Sequence, residues 1–545
     1  MKVSRHLRVV LSSGAAALVA LAMIAGEAAV GVAAVPRAAS GPGIGTPAAL
    51  SAPNCDPATK RIKLYFYAAP PCVQPWSASD DNGGRTAQGV TADSVKVVVT
   101  YVDTPTSRTK GNLVNQATGQ DPGSERAAIT DANTVLASVY QTWGRKVDIE
   151  FFKASGQDEA SQRADAVAVA AMKPFAVIDF ASGYGGGGGP VFDAALQGKV
   201  PVVNAISPIA TNDPIASNAA EWTGKALVGG KAKWAGDPAL RDQQRVFGVI
   251  YPSGSAGIDL AVFTKTFAKY GGKAAAAVDY DFGTDQAQET ALAQQQAPTL
   301  VAKLKAAGVT TIVNFGDGPY ATPAFMRAAT AQDYKPEWII TGAGYQDIDV
   351  VGRLSDQQQM AHAFGLLWFA PYAEGLQDPY KSLFQWYWGK DKGTQSVGAM
   401  AYLMPVYAGI QLGGPKLTAA SYVAGLNRFP PTGGAYSGQV STLEVSYRAP
   451  KGEPPPRGSA LGWYSATTVG PSQVIGAGST GAGKFMYLDG GKRYIGGKFP
   501  KGEPDFFDPS KAIAQLSAPP AAEEPPTYAC AGCPSSGGGP APSSL

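Results

Sequence analysis

Residues 175–207 constrain this chain more than any other stretch. They read FAVIDF, ASGYGGGGG, PVFDAALQGK and VPVVNAIS. That is one strand-length apolar run, a glycine loop, a short helix and a second apolar run. Runs that are apolar at nearly every position suit strands covered on both faces, which means a parallel sheet flanked by helices. In open sheets of that kind, ligands bind beyond the carboxyl ends of the strands. The glycine loop after Phe180 therefore points to a binding crevice as well as to a fold. The run Gly185–Gly189 has two readings. It lets the backbone turn tightly, or its missing side chains leave room and N–H donors for a ligand.

The same cadence recurs along the chain. Ser94–Val102 and Lys146–Phe152 read as strands and Ala160–Ala171 as a helix. A second series starts at Arg245 with RVFGVIY, the loop PSGSAG and the helix IDLAVFTKTFAKY. It continues through KAAAAVDYDF, helix Ala297–Ala307, VTTIVNF, GDGPY, helix Thr322–Ala329 and EWIITG. Gly271 and Gly308 fall just past their helices, where a left-handed residue is wanted. Strands alternating with helices at this spacing imply two series of right-handed βαβ units, an α/β fold. Beyond Asp347, LLWFAPY reads as a strand, Tyr380–Gly389 and Gly398–Gln411 as helices, and 450–504 as turns with short strands such as FMYLD and KRYIG.

The termini bear on compartment. Lys2, Arg5 and Arg8 precede the apolar stretch Val9–Ala25, and Val32-Ala33-Ala34 offers a cleavage site, so 1–34 is expected to be a cleaved signal peptide and the protein extracytoplasmic. Ala15–Ala25 is short for a membrane span, and no cysteine lies near the cleavage region to carry a lipid. Residues 35–60 are rich in Pro, Ala and Gly and are expected to be poorly ordered, as is the low-complexity tail 518–545. In an exported chain Cys55 and Cys72 are expected to pair and staple the irregular arm, and Cys530 and Cys533 to form a small surface disulfide. Neither a redox nor a zinc site is visible around the latter. The net charge is +3, and residues 1–34 hold three of the 45 basic and one of the 42 acidic residues, which leaves +1 without them. That balance gives no footprint for nucleic acid or an anionic membrane.

Four segments carry a resemblance: GVTADSVKVVVTY, RVFGVIYPSGSAG, KLKAAGVTTIVNFGDGP and YLDGGKRYIGG. In order and spacing the stretch 89–504 resembles the type 1 periplasmic binding proteins, closest to the leucine/isoleucine/valine-binding branch that serves ABC importers. The resemblance implies two doubly wound parallel-sheet lobes joined by a hinge, with a small molecule held between them. It divides the chain into a signal peptide (1–34), an arm (35–89), lobe one (90–231), lobe two (232–370), a return to lobe one (371–448), completion of lobe two and hinge (449–517), and the tail (518–545). It also implies an ABC permease as partner, a monomer, no cofactor or metal, and no enzymatic activity.

Ligand contacts would then come from loops after the strands. These are Tyr101 and Asp103; Ser182, Gly183 and Tyr184; Ser207 and Thr211; and, on the facing lobe, Tyr251, Asp317, Tyr320 and Tyr345. In the amino-acid-binding branch, loops matching 182–184 and 207–211 take the ligand carboxylate through hydroxyls and N–H groups. The same branch holds the ligand ammonium with an acid in the loop matching Gly342-Ala343-Gly344, where this chain has alanine. A buried ammonium needs a counter-charge, so Asp317 or Asp347 must substitute, or the ligand is not an amino acid. An amino acid, amide or related compound is the expected class.

Other functions find less support in the residues. A hydrolase would need His362, since His6 lies in the signal segment, and no G-x-S-x-G elbow occurs. Ser107–Lys110 matches S-x-x-K, a pattern of two fixed positions that chance supplies often. The stretch 478–484 (GSTGAGK) approaches a P-loop, but Phe485 stands where Ser or Thr would hold magnesium. A secreted ligand sensor on the same fold remains the main alternative to a transport protein.

Overall fold

The computed structural model describes residues 41–66, 69–101, 125–156, 158–180, 189–203, 212–253, 258–281, 283, 286–374, 379–389, 395–429, 458–473, 480–518, 528–530 and 533–534. In the first body, strand β1 (Ser94–Tyr101) is followed by helix α1 (Glu125–Val139), β2 (Lys146–Lys153), α2 (Glu159–Ala171), β3 (Ala176–Ile178), α3 (Pro190–Leu196) and β4 (Val202–Val203). The strands pair in parallel in the order β2-β1-β3-β4. Asp158 caps α2 by accepting the Ser161 N–H, an N-cap contact that stabilises a helix by about 1 kcal/mol.

Helix α4 (Asn212–Ala226) leads into the second body. There follow β5 (Phe247–Pro252), α5 (Leu260–Ala268), β6 (Ala274–Tyr280), α6 (Gln286–Ala306), β7 (Thr311–Asn314), α7 (Thr322–Ala331), β8 (Glu337–Ile340) and β9 (Ala363–Leu367). These strands are parallel in the order β6-β5-β7-β8-β9. Every residue of β7, β8 and β9 is buried, as two-faced cover by helices requires. The chain then returns to the first body as α8 (Pro379–Trp388), α9 (Gln395–Gly413) and α10 (Ala419–Asn427). It re-enters the second sheet as β10 (Ser459–Gly470) and β11 (Gly481–Leu488), both antiparallel to their neighbours. Where the crossing segment leaves β9, Tyr372–Ala373 pairs in parallel with Gln515–Leu516, so two passes between the bodies are hydrogen-bonded to each other.

Apolar burial follows the same division. One core holds Val97, Val99, Phe175 and Ile178 of the first sheet with Leu403, Tyr407 and Ile410 of α9. Two more cover opposite faces of the second sheet. Most of α9 is buried around its whole circumference, and its backbone and Gln411 hold neighbours directly: Trp143 Nε1 donates to Ile410 O at 3.0 Å, and Gln411 Nε2 to Pro71 O at 3.0 Å.

Several expectations change. Helix α4, which falls within lobe one of the sequence division, contributes Ala216, Ala219, Ala220 and Trp222 to the core of the second sheet. Residues 41–60, part of the stretch expected to be poorly ordered, pack together with the start of the arm that follows, 61–66. They form a short helix (Pro47–Leu50) and a hairpin (Cys55–Asp56 with Arg61–Ile62), and they bury Leu64 and Phe66 against the first body. The tail is also not free throughout. Tyr528 donates to Asp56 at 2.8 Å, its carbonyl accepts Trp386 Nε1 at 2.7 Å, and Cys530 packs on the first core. Both expected disulfides are present, Cys55–Cys72 and Cys530–Cys533. The signal segment lies outside the described residues.

A buried ion network anchors the start of the second sheet. Arg245 donates to both oxygens of Glu337 at 2.7 and 2.9 Å and to Glu503 at 2.7 and 3.0 Å. The Arg245 and Glu337 side chains have no exposed surface. Glu337 also accepts Thr311 Oγ1 at 2.6 Å and Trp234 N at 3.0 Å. Removing one partner leaves a buried charge unpaired. Arg245→Met is therefore predicted to lower unfolding free energy by about 3–5 kcal/mol in urea titration, and adding Glu337→Gln should restore part of the loss. A shift below about 1 kcal/mol would contradict a structural role for the network.

Candidate functional site

Each sheet has one point where its strand order reverses. In the first body β1 pairs with β2 on one side and β3 on the other, and in the second β5 lies between β6 and β7. Loops diverge to opposite faces at such a point and leave a crevice at the strand tips. After β3 come Asp179 and Phe180, and after β7 come Phe315, Gly316 and Asp317.

The tip of the second sheet is held by a polar lattice. Gln346 Nε2 donates to Asn314 O at 3.0 Å and Gly316 O at 2.5 Å, while Thr341 Oγ1 donates to Asn314 O at 2.8 Å. Gly318 N donates to Gly344 O at 2.7 Å, so the loops after β7 and β8 are bonded together. Gly344 has φ +49°, and a Cβ there would lie 2.8 Å from Asp317 Cα and Cγ and 2.9 Å from Oδ2. The Asp317 carboxyl thus occupies the space beside the Gly342–Gly344 loop, and glycine is required at 344. Tyr345 takes φ +65°, an uncommon backbone for an aromatic residue that costs about 1–3 kcal/mol. The residue is 39% exposed, and its ring lies 5.8 Å from that of Phe369.

Behind Tyr345 are two carboxyls. Tyr280 Oη donates to Glu289 Oε1 at 2.8 Å and accepts the Asp317 N–H at 3.1 Å. Among the described residues, Glu289 Oε2 and Asp317 Oδ1 are buried and have no hydrogen-bond partner. Burial pushes Glu289 up to about 9, with the Asp317 charge adding to the rise, and burial pushes Asp317 up to about 8. Tyr320 is raised by burial and then by the negative charges of Asp317 and Glu289 and the nearby Tyr345, so it belongs to the same group.

The first body supplies Asp179, Phe180 and Tyr402. Asp179 is fully buried, accepts Thr100 Oγ1 at 2.8 Å and takes the Gly189 N–H at 2.6 Å. It therefore pins the far end of the glycine loop to the tip of β1. The ring of Tyr402, on α9, meets Phe180 edge to face at 5.0 Å. Its hydroxyl is raised by burial first, then by proximity to Tyr345 of the second body and to Asp179 and Asp193 of the first. Tyr402 is therefore within electrostatic reach of Tyr345 of the other body.

Of the residues expected from sequence, the structure gathers Asp317, Tyr320 and Tyr345 at one tip. Tyr101 packs edge to face with Phe151 at 6.2 Å under the Arg126 guanidinium. Tyr251 packs against the core between β5 and helices α4 and α5, and is raised by burial and by Asp279. Neither is placed in the Asp317 group. Asp103, Ser182, Gly183, Tyr184, Ser207 and Thr211 lie outside the described residues. Asp347 is fully buried, gives Oδ2 to the Phe369 N–H at 2.6 Å, and is pushed by burial to about 7. It braces the segment that leaves β9, and its other oxygen, buried and without a hydrogen-bond partner among the described residues, lies beside Gly342 of the same tip loop. Sequence reasoning missed Glu289, Tyr280, Asp179, Phe180, Phe369 and Tyr402 as site residues. His362 is structural, its Nδ1 2.9 Å from Trp234 O, and burial lowers its pKa. Lys484, the lysine of the P-loop-like stretch, lies buried in β11 and pairs with Asp349 at 2.8 Å.

No protein-family model matches the sequence, and no curated protein matches it. Solved structures do resemble it. An ABC-transporter solute-binding protein from R. palustris in complex with 4-hydroxybenzoate is 16% identical, covering 76% of this chain and 98% of its own, with a TM-score of 0.41. A fatty acid ABC transporter substrate-binding protein from Thermomonospora curvata is 13% identical, covering 74% and 94%, at 0.42. A substrate-binding protein of an ABC transporter from Aeropyrum pernix is 12% identical, covering 68% and 92%, at 0.44. The structures this chain is similar to are thus ABC-transporter solute-binding proteins, and no residue role follows from scores this low.

The carboxyl pair has a signed pH effect. Both groups have raised folded values, so the folded protein holds protons that the unfolded chain releases near pH 4. The pair costs nothing below about pH 4, and the penalty grows as pH rises and is complete above about 9. Asp317→Asn is predicted to leave stability at pH 4.5 unchanged and to raise it at pH 9 by about 1–3 kcal/mol, read from urea unfolding at the two pH values.

Proposed function

We propose that this chain is an extracytoplasmic solute-binding protein that captures one small molecule between its two bodies for an ABC importer. The observation that carries this reading is a pair of doubly wound sheets, each with a switch point at its strand tips, with the Tyr402 hydroxyl of one body within electrostatic reach of Tyr345 of the other. That reach brings the tip of one sheet, with Phe180 and Asp179, towards the tip of the other, with Asp317, Tyr320 and Phe369. A ligand there would be covered from both sides, with aromatic faces for its apolar part and a few fixed polar groups for its orientation. The two hydrogen-bonded crossing segments near Tyr372 and Gln515 are suited to hinge motion. Ser182, Gly183, Tyr184, Ser207, Thr211 and Asp103 belong to this proposal as ligand contacts from the first body.

The reading assigns no chemistry to the site. Asp317 and Glu289 act as binding groups, and His362 and Lys484 are committed to structural contacts. Amino acids, amides and related small compounds are the class proposed from the pattern of the loops, with export by the 1–34 signal segment and capture as a monomer.

A thermal-shift screen of the mature protein against amino acids, short peptides, amides and aromatic acids tests this. A binder at 100 times its dissociation constant should stabilise by about 2.7 kcal/mol. Tyr402→Ala and Tyr345→Ala, on opposite bodies, should each weaken that binder by about tenfold. Loss in only one of the two would place the ligand on a single body and contradict capture between them.

A further inference from the structure

We propose that Asp347 is a positioning residue that couples capture of the solute to pH. As a carboxylate it grips the Phe369 N–H and so fixes Phe369 against Tyr345, and when it takes a proton that grip slackens. This rests on the solute-capture reading above and adds its regulation by protons, with Asp347 itself touching no solute.

Three segments meet at this carboxyl. Asp347 follows the β8 loop that carries Tyr345, and it is fully buried. Its Oδ2 accepts the Phe369 N–H, from the segment that leaves β9, at 2.6 Å. A Cβ on Gly342 would lie 3.0 Å from Trp368 Cβ and 3.8 Å from Asp347 Oδ1, so the β8 loop, Asp347 and that segment are in mutual contact. The Asp347 backbone is fixed from the other side. Its carbonyl accepts Gln473 Nε2 at 2.7 Å, and Gln473 Oε1 takes the Asp349 N–H at 2.8 Å. The side chain is thus a bridge from a braced backbone to a segment about to cross between the bodies. Phe369 lies just before Tyr372–Ala373, which pairs with Gln515–Leu516 in that crossing. Its ring is 5.8 Å from Tyr345 and 6.5 Å from Trp368, so a shift of its backbone reaches the tip proposed to hold the solute.

Charge at the bridge is finely balanced. Oδ1 is buried and has no hydrogen-bond partner among the described residues. The charged and titratable groups facing the carboxyl are Arg493, from the strand Arg493–Tyr494, and Tyr487, from β11. Arg493 favours the carboxylate, while its Nη1 and Nη2 donate to Trp368 O and Gly458 O. Asp349, two residues on, is already paired with Lys484 at 2.8 Å. Burial is the largest influence and opposes the charge. The N–H groups of Phe369, Asp347 and Trp368 and the Arg493 charge favour it, and the balance lies at about 7. A hydrogen bond to an ionised acceptor is roughly twice as strong as one between neutral groups, so loss of the proton tightens the hold on Phe369. The sign for the fold is opposite. The folded value lies above the ordinary one of about 4, so the carboxyl's contribution to stability is fully present below about pH 4 and is lost as pH rises through about 7. A grip that strengthens as the fold weakens is a pattern that packing alone does not produce. The Asp317 pair changes charge higher, at about 8 and 9, so variants at 347 separate the two effects.

Hydrogen exchange read by mass spectrometry on the intact mature protein tests the grip without any solute. After correction for the intrinsic pH dependence of exchange, protection of the peptide 367–371 should rise about tenfold from pH 5 to 8, with its midpoint at about 7. Asp347→Asn should remove that step, and Asp347→Glu, which keeps a titrating group, should retain one. Calorimetry reads the coupling to capture, with L-leucine, L-phenylalanine, benzamide and benzoate as probes that hold their own charge in this window, and with any further binder from the solute screen. Affinity of those that bind should tighten by about tenfold across the same step, and Asp347→Asn should abolish the change. A flat exchange profile in the unaltered protein, or a step that survives Asp347→Asn, would overturn the proposal and leave solute capture intact. So would an affinity that stays level across the step. Failure of every probe and every compound in the screen would overturn the capture reading, and the coupling with it.

Discussion

Two-sided burial of parallel strands is the constraint on which the rest of this structure depends. In the second sheet β7, β8 and β9 have no exposed residue, so neither face can offer a binding surface. Polar function is confined to the strand tips, where the backbone leaves the sheet and its carbonyls and N–H groups need new partners. Gln346 and Thr341 provide those partners around Asn314 and Gly316. The lattice they form sets the loop that carries Asp317.

That rigidity allows unfavourable groups to persist. Tyr345 in a left-handed conformation and two unbalanced carboxyls beside it would each relax in a loose loop. Here they are held by bonds that do not depend on them, such as Gly318 N to Gly344 O. Strain and uncompensated acidity concentrated at one tip, while Arg245, Lys484 and Asp349 are paired elsewhere, single out that tip as the candidate site on which the proposed function rests.

The strand cadence was legible because continuous apolar runs have one physical meaning in a sheet covered on both faces. KVDIEFF, RVFGVIY, VTTIVNF and EWII all became parallel strands. Asp317, Tyr320 and Tyr345 were legible because they follow such runs directly. Glu289 was not, since the sequence reading starts that helix at Ala297 and leaves QAQETALAQQQ unassigned, whereas α6 begins at Gln286 and its packing against β6 turns that glutamate inward. Tyr402 was hidden for the opposite reason: one tyrosine in a helix buried on nearly every side carries no periodic signal. Residues 41–60 looked structureless because the order of the arm comes from a disulfide to Cys72 and from contacts of its later residues with α9 across more than 300 residues of chain, such as Gln411 to Pro71. The departure at Ala343 was visible, whereas the placing of the Asp317 carboxyl beside Gly344 was not, because it is a contact between two loops distant in sequence.

The central claim is that a solute sits between two sheet tips and touches both. A crystal structure of the protein with its strongest binder tests this most directly. The account predicts ligand density in contact with Asp317 and Tyr345 on one side and with Phe180 and Tyr402 on the other. Density against one body alone, or at a site away from both tips, would contradict it.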